Sequence, residues 1–538
     1  MGGRVTILNL AYKMLAINMM QTNNRFLRGL LFLVLFTGGF SYLPKAQKIV
    51  YSEPEREDNR RTNFEIIGKV GANFLVFKNN RNENDISVYD NSMKLINRVK
   101  QTDMDDRWIN VDFVTYPDFA WMIYQYQRKG IVYCMGVKIG ADGKRITEPV
   151  ELDTTKIGWS ASNKIYSTIF SEDKKSIMVF KINSKNPNNF VFTTLLFNNQ
   201  LEKKNKHRMS VSMTEKNDYF TDFHLDNQGD LVFGKFIRRS YSDNITELTM
   251  ITKKSDQESF TLVPLALNDH TLDEIKIKVD NINKRYLFNA LYYAQRRGNV
   301  EGLFTLVWDT KVAGMIRESY MEFDDELRKL AKGPDASSKM AFDDYSLTSV
   351  ITKKDGGFIL VGESMYTTSR GSTFDRWGNR FYNNPWSSPL DYYYWSPYSN
   401  PYNSFYYDRY YGSRNGSQQT RYHAENIMIL SFDADGKMEW NNAVPKAQYD
   451  DETDGTISHQ IMVTGGELHL LFNLYERRTL LLNDQSISPD GKITRNPTLK
   501  NLDREIDFLP RFGKQVSSKA LVLPCYYRNS LTFAKIEF

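Results

Sequence analysis

The chain has 538 residues, of which 41% are hydrophobic and 25% charged, with a formal net charge of +6. This is globular composition, long enough for one large domain or several, and it excludes disorder throughout. Aromatic residues make up 14%, and frequent short alternating runs of Val, Ile, Phe, Tyr and Thr favour strand over helix.

Near the N-terminus, Arg25 and Arg28 precede the apolar run Leu30 to Phe36, followed by a Gly-Gly break and Ser41-Tyr42-Leu43-Pro44-Lys45-Ala46. A charged region, a short apolar stretch and a small residue before Gln47 make residues 1–46 an expected export leader, although Pro44 stands where a small residue is usual. The run falls well short of the roughly 20 residues a spanning helix needs, so the mature chain is expected to carry no transmembrane segment. Met19 or Met20 is an alternative start, and no cysteine follows the run to accept a lipid. Removing the leader removes Arg4, Lys13, Arg25, Arg28 and Lys45 and no acid, which takes the charge from +6 to +1. A near-neutral body gives no general electrostatic case for nucleic acid or an anionic membrane as partner.

Beyond the leader a pattern recurs. An apolar strand leads through a polar loop to a second strand, then a turn and a more polar third strand, as in "NFLVFKNNRNENDISVYDNSMKLINRV" and "FAWMIYQYQRKGIVYCMGVKIGADGKRITEPV". Eight such units run from about residue 64 to the C-terminus, about 40 to 60 residues apart with one longer interval, which is the period of a β-propeller blade. One twisted sheet cannot bury both its faces alone, whereas sheets packed around an axis bury each other. The expected fold is therefore all-β: a single β-propeller over residues 47–538, with eight blades, seven being the alternative. The last unit, "KALVLPCYYRNSLTFAKIEF", lacks the outer strand of its siblings. "QKIVYSE" at 47–53 is expected to pair at its edge and close the ring. Helix is scarce; "FDDELRKLAKG", 323–333, is the one short helix expected, ending at Gly333 and Pro334. Cys134 and Cys525 lie in apolar runs and are expected as buried free thiols, not a disulfide framework.

Asp355-Gly356-Gly357-Phe358-Ile359-Leu360-Val361-Gly362-Glu363, followed by Asn426 to Trp440 ("NIMILSFDADGKMEW"), resembles the repeat of bacterial secreted β-propeller proteins. The resemblance rests on a Gly-Gly-aliphatic-Gly strand, a second strand, an Asp-x-x-Gly turn and a Trp. One unit carries it in full, about a tenth of the chain. It implies the fold and an exported address; it names no function.

The Asp-Gly turns "ADGK" (141), "NQGD" (227), "ADGK" (434) and "PDGK" (489) each join two strands, where a left-handed Gly suffices without metal. The loop "YDDETDGTISH", 449–459, is closer to a calcium loop. It places Asp450, Glu452 and Asp454 at alternating positions before Gly455, with Ser458 able to act through water, but Ile461 stands where the closing acid belongs. No cofactor beyond this candidate calcium ion is expected. No catalytic residue is assigned: the chain lacks a Gly-x-Ser-x-Gly elbow, a phosphate loop and a His-Glu-x-x-His helix. The six histidines are scattered, and the acidic pairs Asp105-Asp106 and Asp343-Asp344 would matter only if they met in an axial channel as a dyad.

The sixth unit is split by an insertion from Tyr366 to Glu425. Between Phe374 and Tyr411, 16 of 38 residues are aromatic and Leu390 is the only aliphatic. Loops of this length inside compact domains are functional or disordered. Tyr and Trp offer rigid apolar faces with a polar handle, which suits recognition. Trp377, Trp386, Tyr393, Trp395, Tyr398, Tyr407 and Arg409 are the candidate binding residues, with Arg376, Arg380 and Arg409 able to pair cations with rings. The expected function is an exported binding or scaffold propeller, periplasmic or at the outer surface, that engages an envelope protein or a glycan through this loop. The alternatives are a carbohydrate-active propeller enzyme with acids in the channel and a calcium-dependent adhesin.

Overall fold

The computed structural model describes residues 47–538 except 56–57, 59–61, 81–82, 102–107, 159–163, 187, 214–217, 239–243, 295–298, 334–341, 343, 370–371, 377–419, 452–453, 477–478, 498 and 500–505. Ile49–Glu537 form one unit. Among the described residues the strands make seven antiparallel sheets, and no helix is long and apolar enough to cross a membrane.

The first three sheets are plain four-stranded meanders. They comprise Asn63–Val70, Asn73–Asn80, Glu83–Tyr89 and Leu95–Lys100; then Trp108–Thr115, Ala120–Arg128, Ile131–Ile139 and Val150–Lys156; then Tyr166–Phe170, Ser176–Asn186, Asn189–Asn198 and Lys203–Ser212. A nine-stranded sheet follows. It holds two further meanders, Asp218–Leu225 to Thr261–Leu265 and Lys276–Asp280 to Gly314–Glu322, joined by the two-residue strand Thr271–Leu272. The next sheet contains Tyr345–Thr352, Phe358–Ser369, Thr420–Phe432 and Met438–Asp450, with Ser372–Arg376 paired to Phe358–Ser369. His459–Val463, Leu468–Glu476, Thr479–Ile487 and Ile493–Arg495 form another. The last sheet joins the two ends of the chain: Lys48–Tyr51 pairs with Ser530–Glu537, which pairs with Ala520–Tyr527, and Ile506–Phe508 and Lys514–Ser517 complete it. The amide of Ser52 donates to the Phe533 carbonyl at 2.8 Å, and the Phe533 amide to the Ser52 hydroxyl at 3.0 Å.

Successive side chains on a strand point to opposite faces, and here each face meets a different neighbour. In Asn73–Asn80, Leu75 and Phe77 pack with Val111 and Met122 of the second sheet, while Phe74 and Val76 pack with Val522 and Phe533 of the last. In Ser176–Asn186, Ile177 and Val179 face the second sheet, and Met178 and Phe180 face Phe220 and Phe233. The same division recurs at Arg285–Tyr293, where Phe288 and Ala290 face one meander and Leu287 and Leu291 the sheet of Phe358. This explains the continuous apolar runs in the sequence: strands buried on both faces show no polar alternation.

First strands of several neighbouring sheets lie side by side. Asn63–Val70 runs next to Trp108–Thr115 and Lys514–Ser517, Asp218–Leu225 next to Tyr166–Phe170 and Lys276–Asp280, and Lys276–Asp280 next to Tyr345–Thr352. The sheets thus radiate from their first strands. The recurring sequence unit begins at the second strand of each sheet, so its first strand went unread; in several sheets that strand is bulged and carries charges among its apolar residues.

The helix forms as its ends dictate. It spans Asp325–Lys332, with Asp324 accepting from the Leu327 amide at 2.8 Å and Gly333, at φ 102°, ending it through a bond to the Lys329 carbonyl. Leu327 and Ala331 bury against Phe323, Phe342 and Tyr345. Cys134 and Cys525 are free and buried. Gly143, Gly229, Gly436 and Gly491, the turn glycines of the four Asp-Gly motifs, all have positive φ. The insertion is narrower than its sequence suggests, because Phe358–Ser369 continues past Tyr366 and Thr420–Phe432 starts before Glu425.

Candidate functional site

The converging first strands carry a column of charge. Five of them are bulged, between Ile66 and Gly68, Trp108 and Asn110, Thr221 and His224, Leu347 and Ser349, and Gln515 and Ser517, and a bulge re-aims the side chains beside it. Asp112, half-buried on Trp108–Thr115, accepts from Asn110 Nδ2 at 3.1 Å. Burial pushes its carboxyl above the usual range, against the opposing charge of Lys164. Burial likewise pushes the Lys164 amine down, against Asp112 and Glu65. Burial thus disfavours the charged form of both groups, while the charge of each favours that of the other. Glu65 also acts on Lys514, whose Nζ donates to the carbonyls of Ile66 at 2.9 Å and Ile67 at 3.2 Å. Asp222, in the bulge at φ 57°, is committed elsewhere: it accepts from the Ile277 amide and contacts His224 Nε2 at 3.0 Å.

A second locus is the root of the insertion. Phe358–Ser369, Thr420–Phe432 and Met438–Asp450, at 12, 13 and 13 residues, outrun the other strands described. Near their ends Tyr366 stacks on His423 at 4.4 Å with its hydroxyl on Glu425 at 2.8 Å, and His423 lies 6.5 Å from Tyr449. The Arg421 guanidinium covers the Tyr449 ring at 4.5 Å and is fixed by Asp451 at 2.6 and 3.0 Å. Tyr449 is 56% exposed and Tyr475, on the next sheet, 70% exposed. Partial burial, then the nearby Asp507, Asp450 and Tyr449, raise the Tyr475 phenol above its ordinary pKa.

Between these loci lies a closed ionic core. Glu363, fully buried, meets Lys446 Nζ at 2.7 Å and His459 Nδ1 at 3.2 Å, and accepts the Ser458 hydroxyl. Lys446 also donates to Gln448 Oε1 at 2.7 Å and to the Ala424 carbonyl at 2.9 Å. Burial opposes ionisation of Glu363, but Lys446 and His459 outweigh it and hold the carboxyl down at about 2. The set resembles a nucleophile constellation in composition only. The Ser458 proton goes to the carboxylate and not to His459, and solvent does not reach the group.

Of the residues expected from sequence, Trp377, Trp386, Tyr393, Trp395, Tyr398, Tyr407 and Arg409 lie outside the described residues, as do Arg380, Asp105, Asp106, Asp343 and Glu452. Asp344 is not a channel acid: it is buried beside the helix, bound to Lys332 and to the Ser364 hydroxyl. In the acidic loop Asp454 Oδ2 accepts from Arg511 at 2.8 Å, Asp450 accepts the Thr456 hydroxyl, and Ser458 is turned inward to Glu363. Among the described residues no group of three or more His, Cys, Asp or Glu is placed to hold a metal ion. The axial charges, Glu65, Asp112, Lys164 and Lys514, were not foreseen. Their signal was available as isolated charges inside apolar segments such as "FEIIGKV" and "WINVDFVT".

No family model matches the chain, and no curated protein does. Among solved structures the chain is similar to a prolyl endopeptidase at 10% identity and a TM-score of 0.39, over 88% of this chain and 55% of the other, so it corresponds to about half of that protein's length. Prolyl oligopeptidase B from Galerina marginata gives 9% identity and a TM-score of 0.39, over 88% and 56%. The polysaccharide lyase Uly1 gives 9% identity and a TM-score of 0.36, over 80% and 90%. The radiating four-stranded sheets define an all-β, β-propeller type of protein.

Proposed function

We propose that the chain is an exported β-propeller of eight blades, closed by its N-terminal strand, that acts as a binding or scaffold module and engages a protein or glycan at the insertion. The blade number is supported by six four-stranded meanders before the residue 459 sheet, that sheet itself, and the last sheet completed by Lys48–Tyr51. Export rests on the leader of residues 1–46. The observation that carries the binding role is the hairpin of elongated strands, with its Tyr366–His423 stack and solvent-facing Tyr449 at the root of the aromatic segment. Aromatic faces fixed in advance bind at low entropic cost. Deleting residues 371 to 416 is expected to leave the melting temperature of the propeller nearly unchanged and to abolish binding to a glycan panel or envelope fraction that the full chain retains. Retained binding would overturn the assignment.

A carbohydrate-active enzyme is the second reading, favoured by the Asp112–Lys164–Glu65 column on the converging strands. Under it, Asp112→Asn removes cleavage of a polysaccharide panel while leaving glycan binding at the insertion intact; equal cleavage by the variant removes Asp112 from that role.

A further inference from the structure

Two lysines on the converging strands are held by backbone carbonyls and not by carboxylates. Lys174, on the turn after Tyr166–Phe170, donates to the Thr115 carbonyl at 2.7 Å. Lys514 donates to Ile66 and Ile67, and the Thr115 hydroxyl donates to the same Ile67 carbonyl at 2.5 Å. The two amines are anchored on adjacent strands of two different sheets, Trp108–Thr115 and Asn63–Val70, and the Thr115 hydroxyl bond to Ile67 links the two anchor points. Both side chains are half-buried, so solvent reaches them. Among the described residues no carboxylate lies within ion-pair distance of either amine.

The charges around them do not cancel. Burial lowers the Lys174 amine with nothing opposing it, and it lowers Lys514, where the pull of Glu65 is offset by the push of Lys174 itself. Glu65 is shared with Lys164, whose other partner Asp112 has its carboxyl pushed toward the neutral form. The pull of Glu65 is thus divided between Lys164 and Lys514. An ammonium carries three donors; Lys514 spends two on carbonyls and Lys174 one, which leaves three N–H groups. Water can fill those donors but carries no charge to offset two neighbouring like charges.

We propose that Lys174 and Lys514 form an oxyanion-binding site at the axis of the fold, which takes a phosphate, sulfate or carboxylate group. The anion bridges the two amines, supplies the acceptors their unused N–H groups lack, and ties the turn at Lys174 to the strand at Lys514, which belong to sheets far apart in sequence. The site is distinct from the insertion and does not depend on the binding role proposed there.

The test is calorimetric titration of the full chain with phosphate, sulfate and acetate at fixed ionic strength. Because phosphate and sulfate also stabilise folded proteins without binding a site, the decisive comparison is between variants. Saturable binding is expected for the wild type and for Lys69→Met, an exposed lysine on Asn63–Val70. Lys174→Met is expected to bind about tenfold or more weakly, the loss of a charge-assisted hydrogen bond. The anion bound most tightly identifies the ligand class. Lys514→Met also removes two ties to Asn63–Val70 and can fail to fold, so Lys174→Met, which breaks one bond to Thr115, carries the test. No saturable binding of any of the three anions, or equal binding by Lys174→Met and wild type, overturns the proposal.

Discussion

Glu363 and Lys446 are each fully buried, so neither can lose its partner cheaply. Removing one half of a buried pair leaves the other as an uncompensated charge, at a cost of about 3–5 kcal/mol. Lys446→Met is expected to destabilise by that amount in urea melts, and Lys446→Met combined with Glu363→Gln is expected to recover most of it; an additive loss in the double variant would refute the account. The same pair sets an acid limit. The Glu363 carboxyl is held below its ordinary value of 4.5, down at about 2, so in the unfolded chain it protonates first. Its contribution is complete above pH 4.5 and is lost as the pH falls toward 2. Wild-type melting temperature should therefore drop across that interval, and Glu363→Gln should flatten the drop. These roles were not legible in the sequence: Glu363 ends a Gly-rich apolar run and Lys446 sits near a Pro, and only the fold brings them together. Asp344 shows the converse, since its adjacency to Asp343 drew attention while its partners, Lys332 and Ser364, lie elsewhere in the chain.

Strands and turns were more legible than the sites they carry. Second and third strands could be read because burial on both faces gives unbroken apolar runs, and the helix because Asp324 and Gly333 mark its ends. First strands such as Asn63–Val70 and Trp108–Thr115 were missed because a bulge breaks their period and charges such as Glu65 and Asp112 interrupt them. The split unit with the Asp-x-x-Gly turn and Trp shows what its letters do. Gly436 turns at φ 66° with Asp433 accepting from the Lys437 amide at 2.8 Å, and Trp440 donates to the Pro489 carbonyl of the following sheet at 3.0 Å. That indole lies where a side chain at Gly491 would be, 2.6 Å from an added Cβ, and Gly491 has φ 83°. Gly491→Ala is expected to cost about 1–3 kcal/mol through overpacking and backbone strain. Gly465→Ala, which meets nothing within 4 Å, should be neutral; equal effects in thermal melts would show that the Trp440 contact is not the cause. At the insertion root, Tyr449→Ala with Tyr475→Ala should weaken glycan binding without lowering the melting temperature, since both rings face solvent.

Across the whole molecule, the joint between the chain's two ends concentrates polar bonds. Lys78, buried on the first sheet, reaches Glu55 at 2.7 Å, Tyr89 at 2.8 Å and Asp58, while Arg98 holds Glu55 at 3.0 Å and Asp58 at 2.9 Å. The segment after Lys48–Tyr51 is thereby clamped to the first sheet while the strand itself lies on the last. A chain beginning at residue 62 should lose cooperativity and aggregate through the bared edge of Ser530–Glu537, whereas Lys78→Met should unfold as one transition at lower urea. A truncated chain that melts like the full one would show the joint to be dispensable. The same joint gives the protein a timetable. Ser52 and Phe533 are 481 residues apart, and at about 5–20 residues per second of synthesis the first waits roughly half a minute to a minute and a half for the second. For that interval the growing chain holds a finished row of sheets and an unmated beginning, so whatever handles the nascent protein must keep its front end available until its back end arrives.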